Sequence, residues 1–340
     1  MKRPTQQDVA TQAGVSRATV SYVLNGQAKG PISITEETRQ KIFQAADQLG
    51  YEPDAAAQSL RLQSSKTIGV LIPDMFNPHY WQMVRGVEGF LQSKNYDLLL
   101  TSVSLNPDRE RAALRSLLRR RVDGLILVLT YADQEDRELK TIIRRRSPVV
   151  LLGGMSDGVD TVGPDDESGT SQLMQHLIEL GHRTIGFVFG VATPQLGAHR
   201  LTTYKQKVSE AGVSNIDHLV VQTGPTMQDG YQAALRLLDS SPRPTAIVAI
   251  NDLLAIGVLR ACADRGLRVP EDISVAGFDD IDQAVYLNPA LTTVQMNAGE
   301  MGLTAARLLF KRMEDSDREH EHHLIPTRLI RRASTGGAPG

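Results

Sequence analysis

This 340-residue chain has one cysteine, one tryptophan and a formal net charge of only −2, and each scarcity excludes something. The lone Cys262 rules out an internal disulfide framework and suits a reducing compartment. A near-neutral balance excludes a general polyanion binder, so any nucleic-acid affinity must come from a local surface. Apolar runs such as Gly124-Leu125-Ile126-Leu127-Val128-Leu129 are far too short to span a bilayer. The start, Met1-Lys2-Arg3-Pro4-Thr5-Gln6-Gln7-Asp8, has no apolar stretch behind its basic residues, so no signal peptide is expected and the protein is expected in the cytoplasm. There is no Gly-Lys-Ser/Thr phosphate loop and no Gly-x-Ser-x-Gly elbow, and neither an enzyme nor a cofactor is expected. His320, His322 and His323 read as part of a solvated turn and not as a metal site. Asp165-Asp166-Glu167 reads as a charge cluster at a helix N-terminus and not as a catalytic pair.

What is present falls into three zones: 1–50, with short helical patterns; 51–65, a connector; and 66–340, where apolar strands alternate with amphipathic helices as in parallel α/β sheets. Strands are predicted at Thr67–Ile72, Tyr96–Ser102, Gly124–Leu129, Val149–Leu152, Thr161–Val162, Thr184–Phe189, His218–Val221, Ala246–Ile250 and Ser274–Phe278. They are rich in Val, Ile and Leu without alternation, as expected for strands covered on both faces. There are too many units for one compact sheet, and two doubly wound lobes with a cleft between them are the economical arrangement.

In the first zone Thr5 is suited to cap a helix whose inner stripe is Val9, Ala10 and Ala13. Gly14 suits a left-handed turn, Val15 plugs the corner, and Ser16 caps a second helix from Arg17 to Leu24. Two short helices joined by a tight glycine turn match a helix-turn-helix, and a third runs from Thr35 to Leu49, with Ile42, Ala46 and Leu49 inward. An ordinary three-helix subdomain has the same spacing; the outward face of the second helix favours the DNA reader. Arg17, Ala18 and Tyr22 project where a recognition helix meets base edges, Arg17 suited to guanine and Ala18 to a thymine methyl. Thr5, Ser16, Ser21 and Asn25 are short polar groups suited to phosphate. Residues 1–62 hold seven basic side chains against six acidic ones, so the salt dependence of binding should be moderate.

In the connector, Asp54 and three alanines favour a helix too short to stand alone in water. It reads as a plain linker or as a hinge that folds on DNA, two copies pairing through small faces such as Ala57 and pushing Leu60 into the minor groove.

These residues resemble the LacI family of bacterial transcription regulators over almost the whole chain. The resemblance is carried by Asp8-Val9-Ala10, Ala13-Gly14-Val15-Ser16, Thr19-Val20-Ser21 and Leu24-Asn25, by Tyr51, Pro53, Ala57 and Leu60, and by Gly181-His182-Arg183. It continues through Asn251-Asp252, Arg268-Val269-Pro270-Glu271-Asp272-Ile273-Ser274-Val275, Gly277-Phe278-Asp279-Asp280 and Leu291-Thr292-Thr293-Val294. It implies an all-α helix-turn-helix domain with a hinge helix, then an α/β periplasmic-binding-protein-like core of two doubly wound parallel-sheet lobes. It also implies a homodimer on a pseudopalindromic operator, without membrane contact, and a small-molecule effector, commonly a sugar, between the lobes. The crossovers are expected near 162–165, 292–296 and 322–325, giving lobe one as 66–163 plus 295–322 and lobe two as 164–294 plus 323–332. The sequence departs from the family at Asp54, where Asn is frequent, in the longer loop Gln27–Ser33, and at Gly153-Gly154. The tail from Arg331 has no heptad leucines, so a dimer without a tetramerising helix is expected.

By the same resemblance Asn77, Tyr80, Trp81 and Thr130 face the cleft from lobe one, and Arg200, Asn251, Asp252 and Asp279 from lobe two. Trp81 reads equally as a helix core residue. A forked Arg beside carboxylates and amides suits a polyhydroxylated ligand, with a purine as the alternative. The rival to an effector-controlled repressor is a binding protein for sugar transport, which the helix-turn-helix opposes.

Overall fold

The computed structural model describes residues 4–24, 34–52, 64–120, 122–131, 136–154, 158–193, 197–212 and 217–340. Asn25, the loop 27–33, Asp54, Ala57 and Leu60 lie outside them. The chain divides into two compact units, Met1–Ser65 and Lys66–Gly340.

The first unit holds α1 (Gln6–Ala13), α2 (Arg17–Leu24) and α3 (Glu36–Leu49). Thr5 and Asp8 form a reciprocal capping box: the Asp8 amide donates to Thr5 Oγ1 at 3.4 Å, and the Thr5 amide donates to Asp8 Oδ2 at 2.8 Å. Gly14 ends α1 at φ 67°, a left-handed conformation that a side chain would strain, and the Val15 amide reaches back to the Ala10 carbonyl at 3.0 Å. Ser16 Oγ then accepts from the Thr19 amide at 3.1 Å at the start of α2. Val9, Ala10, Val20, Val23, Ile42, Ala45 and Ala46 make the core, with Ala13, Val15, Leu24 and Leu49 packed around it. The apolar periodicity of three short helices is thus spent on one small common centre.

In the second unit, one sheet has six parallel strands: β1 (Thr67–Ile72), β2 (Asp97–Ser102), β3 (Gly124–Leu127), β4 (Val149–Leu152), β5 (Asp160–Pro164) and β11 (His322–Ile325), in the order β2-β1-β3-β4-β5-β11. A second parallel sheet has the order β7-β6-β8-β9, from β6 (Ile185–Gly190), β7 (Val220–Thr223), β8 (Ala246–Ala249) and β9 (Ser274–Ala276). The central strands β3, β4, β6 and β8 are buried along their whole length, which is why they read as unbroken apolar runs. β2 and β7 are edges, and only half-buried.

Three strands were not anticipated. β10 (Thr293–Gln295) and β12 (Arg328–Ile330) pair antiparallel in a two-stranded ribbon, and β11 keeps the chain in the first sheet through Ile325. The third passage between lobes therefore runs through Pro326 and Thr327, just beyond the expected 322–325. The equally short β3, β4 and β8 are apolar throughout, whereas these three segments mix polar with apolar residues and are too short to show a period. His218 and Leu219, expected in a strand, form a 3₁₀ turn instead, and β7 begins at Val220.

Candidate functional site

Two surfaces carry the chemistry. In the first unit, Arg17 and Ala18 are exposed at the start of α2. Tyr22, expected beside them as a base reader, is half-buried, and its hydroxyl is buried without a hydrogen-bond partner. Thr5 and Ser16 are exposed but already engaged: Thr5 Oγ1 donates to Asp8 Oδ2 at 2.7 Å, and the Ser16 and Thr19 hydroxyls lie 2.8 Å apart. Both are helix caps first: Thr5 would have to turn its proton from Asp8 to reach a phosphate, whereas Ser16 has its proton free where Thr19 is the donor between them. Ser21 is half-buried on α2.

In the second unit, a cavity of about 210 Å³ opens at the carboxyl ends of the strands of both sheets. Asn77, Tyr80, Thr130, Arg200, Asn251 and Asp279, six of the eight residues expected there, line it. Asn77 caps the helix Pro78–Ser93, its side chain accepting from the His79 amide at 3.0 Å. Thr130 sits on the turn after β3, which buried Glu110 fixes by accepting from the Thr130 and Tyr131 amides at 2.9 Å each. Across the cleft, Thr193 donates to the Thr130 carbonyl at 3.4 Å, a contact between the two lobes. Asn251 caps the helix Asp252–Asp264, accepting from Leu254 at 2.9 Å.

Arg200 is the hub of the site. Its Nε donates to Asp166 Oδ1 at 2.8 Å, Nη1 donates to the Ile250 carbonyl at 2.7 Å, and the guanidinium lies 4.3 Å over the Phe278 ring. Burial opposes its charge, yet Asp166 and Asp279 beside it raise its pKa further. Asp279 holds a left-handed backbone, φ 107°, strain of the kind that functional sites store. Burial raises its pKa, while His79 and Arg200 pull the other way. The Tyr80 hydroxyl is likewise pushed up, by burial first and then by Asp279 and Asp74.

Two expected residues are elsewhere. Trp81 does not line the cavity: its Nε1 donates to the Met75 carbonyl at 2.8 Å and the ring packs against the core of the first lobe. From this helix His79, Tyr80 and Met83 line the cavity, and Trp81 falls off the edge of the face they share. Asp252 is absent from the lining as well. It is fully buried behind Asn251, where Oδ1 accepts from the Thr293 hydroxyl at 2.6 Å and Oδ2 from the Ile281 amide at 3.0 Å. Burial raises its pKa well above the usual carboxylate value. A Cβ on Gly277 would collide with this carboxylate, which accounts for a glycine before Phe278-Asp279. Asp252 positions the loop that carries Asp279; it does not reach the cleft.

Three ionisable residues that line the cavity, Asp74, His79 and Asp166, are not among those expected to face it. Asp166 belongs to the expected cluster at a helix start, and Asp165 does cap that helix, accepting from Ser168 at 3.0 Å. Its neighbour turns instead to Arg200. His79 is buried, with Nδ1 3.7 Å from Asp279 Oδ1, and burial lowers its pKa while Asp279 opposes that.

The comparisons with known proteins agree with this geometry. Residues 5–54 match the domain described as bacterial regulatory proteins, lacI family, and residues 174–335 match the periplasmic binding protein-like domain. The HTH-type transcriptional repressor PurR of Photobacterium profundum is 33% identical over 334 residues, covering 97% of this chain and 98% of that protein. Catabolite control protein A of Priestia megaterium is 33% identical over 96% of this chain and 98% of its own. Among solved structures, the lac repressor dimer bound to operator and the anti-inducer ONPF superposes with a TM-score of 0.86 at 27% identity, covering 98% of this chain and 100% of that one. A LacI family regulator of Enterococcus faecium with bound ribose gives 0.72 at 33% identity, over 80% of this chain and 99% of its own.

Proposed function

Because the chain belongs to the lacI family of bacterial regulatory proteins, we propose that it is a transcriptional repressor whose hold on operator DNA is set by a small ligand in the interlobe cleft. The observation that carries this reading is the coexistence, in one chain, of an exposed Arg17-Ala18 helix start and a buried polar cavity centred on Arg200. A transport binding protein has use for the second and none for the first.

Residues 1–50 read the operator, 51–65 serve as the hinge, and 66–340 bind effector and dimerise. Arg17 and Ala18 read bases; Thr5, Ser16, Ser21 and Asn25 hold phosphates; Ala57 and Leu60 act at the minor groove. The lobes meet the ligand from two sides, so occupancy changes their closure and, through the dimer, the spacing of the two readers. The protein works as a homodimer on a pseudopalindrome in the cytoplasm, and the role requires no catalysis. The ribose bound by the Enterococcus faecium regulator favours a sugar as effector. No helix among the described residues is long and apolar enough to cross a membrane.

The test is fluorescence anisotropy of the full-length protein on its own upstream DNA, over a range of salt, with and without sugars. Sequence-preferring binding that a sugar shifts supports the reading. Equal affinity for upstream and scrambled DNA at every salt concentration rules it out.

A further inference from the structure

The walls of the cleft limit the ligand by charge as well as by size. Its lining has three carboxylates, Asp74, Asp166 and Asp279, against a single guanidinium, Arg200, and among the described residues no lysine. Arg200 is already paired to Asp166. Helix N-termini, the usual attraction for anions, are mostly taken: Asn77, Asp165 and Asn251 cap three that border the cleft. Among the described helices that contribute to the lining, Ala198–Glu210 at Gly197 and Ala298–Glu314 at Asn297 begin without a side-chain cap. Each such end is worth roughly half a positive charge, so the two together stay below the excess of carboxylates over the guanidinium. A phosphate or carboxylate placed here would be desolvated beside like charges.

Two lining residues have polar atoms with nothing to bond. His79 Nδ1 and Thr130 Oγ1 are both buried and unpartnered, and the 3.7 Å from His79 Nδ1 to Asp279 is too long for a hydrogen bond. Buried unpaired groups are costly, and a binding site is where such a cost is recovered on occupancy. A hydroxyl both donates and accepts, so it satisfies His79 in either tautomer and Thr130 in either rotamer. The volume, about 210 Å³, is below the roughly 300–1,000 Å³ of drug-sized sites.

We propose that the cleft takes a single-ring, hydroxyl-rich ligand that bears neither phosphate nor carboxylate, and that His79 and Thr130 are specificity-determining residues that hydrogen bond it from the first lobe. This rests on the effector reading above and narrows its ligand class.

The experiment is thermal shift followed by calorimetry on the full-length protein with matched probes: neutral monosaccharides including ribose, their phosphates, the uronic acids, and the bases hypoxanthine and adenine. At least one neutral sugar should bind, with its phosphate or uronate at least a hundredfold weaker. Thr130→Val and His79→Phe should each weaken the neutral sugar at least tenfold, while Thr130→Ser keeps it near wild type. A phosphorylated or carboxylated form that binds as tightly as its parent overturns the charge argument and leaves the effector reading intact. Wild-type affinity in both weakened variants overturns the roles of His79 and Thr130. Binding confined to the purine bases overturns the ligand class, again without touching regulation. If no probe of any class binds, the effector reading falls and this inference with it.

Discussion

Arg312 grips Asp160 through two hydrogen bonds, Nε to Oδ2 at 2.9 Å and Nη2 to Oδ1 at 3.1 Å, and the carboxylate is fully buried. Asp160 opens β5, and Arg312 lies near the end of the helix Ala298–Glu314, so the pair ties segments 152 residues apart. Arg312 also donates to the carbonyls of Ser316, Arg318 and Glu319, and Arg318 adds a second cation to Asp160. The turn leading into β11 is therefore organised around one buried charge.

Arg312→Met should leave Asp160 with one cation and release the turn. Breaking a buried pair by removing one partner typically costs about 3–5 kcal/mol, and the surviving Arg318 puts the expected loss at the lower end. Thermal melting of the variant without DNA should show a lowered midpoint. The double variant Arg312→Met with Asp160→Leu should recover part of it, since the buried carboxylate is removed with its partner and Arg318 keeps its ion pair with Glu321. A single variant that melts like wild type would mean the pair holds nothing together.

How much of this was legible in the sequence depends on the range of the interaction. Thr5 with Asp8, Gly14, and Thr35 before α3 are local devices, three or fewer residues apart or set by one backbone angle, and all were readable. Buried central strands announced themselves by composition. The cleft was legible only to the extent that resemblance supplied it, and the errors are instructive. The resemblance puts Asp252 in the cleft, yet its carboxylate is taken up by Thr293 and Ile281, far along the chain. Asp166 was passed over because its helix-start cluster had a sufficient local explanation in Asp165. Its pairing with Arg200 is 34 residues distant and leaves no trace in spacing.

Arg200→Lys tests the hub. Lysine keeps the charge near Asp166 but loses the planar fork that serves Asp166 and Ile250 together. Charge-assisted hydrogen bonds are worth about 1.5–3 kcal/mol each, so effector affinity should fall by roughly 10–100-fold. Calorimetry with whichever ligand is found to bind wild type measures it, and operator affinity without effector should change little. Unaltered effector affinity would remove Arg200 from the site.

Arg17→Ala addresses the other surface. If the exposed guanidinium reads a guanine, its loss should cost about 1–3 kcal/mol of operator affinity and relax preference at one base position in each half-site. The slope of affinity against salt should stay near its wild-type value, because a base contact releases few counterions. Anisotropy on operators varied one position at a time separates the outcomes. A uniform loss over all sequences with a shallower slope would reassign Arg17 to phosphate.

His182 provides a prediction in pH. Its ring is fully buried, Nε2 lies 3.0 Å from the Gly336 carbonyl and 3.1 Å from Ser274 Oγ, and Nδ1 lies 2.9 Å from Thr245 Oγ1. A carbonyl only accepts, so Nε2 carries the proton and Nδ1 is the acceptor in the neutral ring. Burial lowers the pKa, with the bond to Gly336 opposing. The unfolded chain then binds a proton that the folded one refuses, so this contribution is whole above the ordinary histidine value of about 6.5. It is lost as pH falls from there through the folded pKa. His79, His176 and His320 are shifted the same way, each by burial first, and add to the slope. Melting temperature should therefore fall from pH 7.5 to 5. His182→Gln should melt lower than wild type at pH 7.5, because the tail from Ser334 to Ala338 loses an anchor, and the gap should narrow toward pH 5. Parallel curves for the two proteins across that range would show that His182 is not the group being titrated.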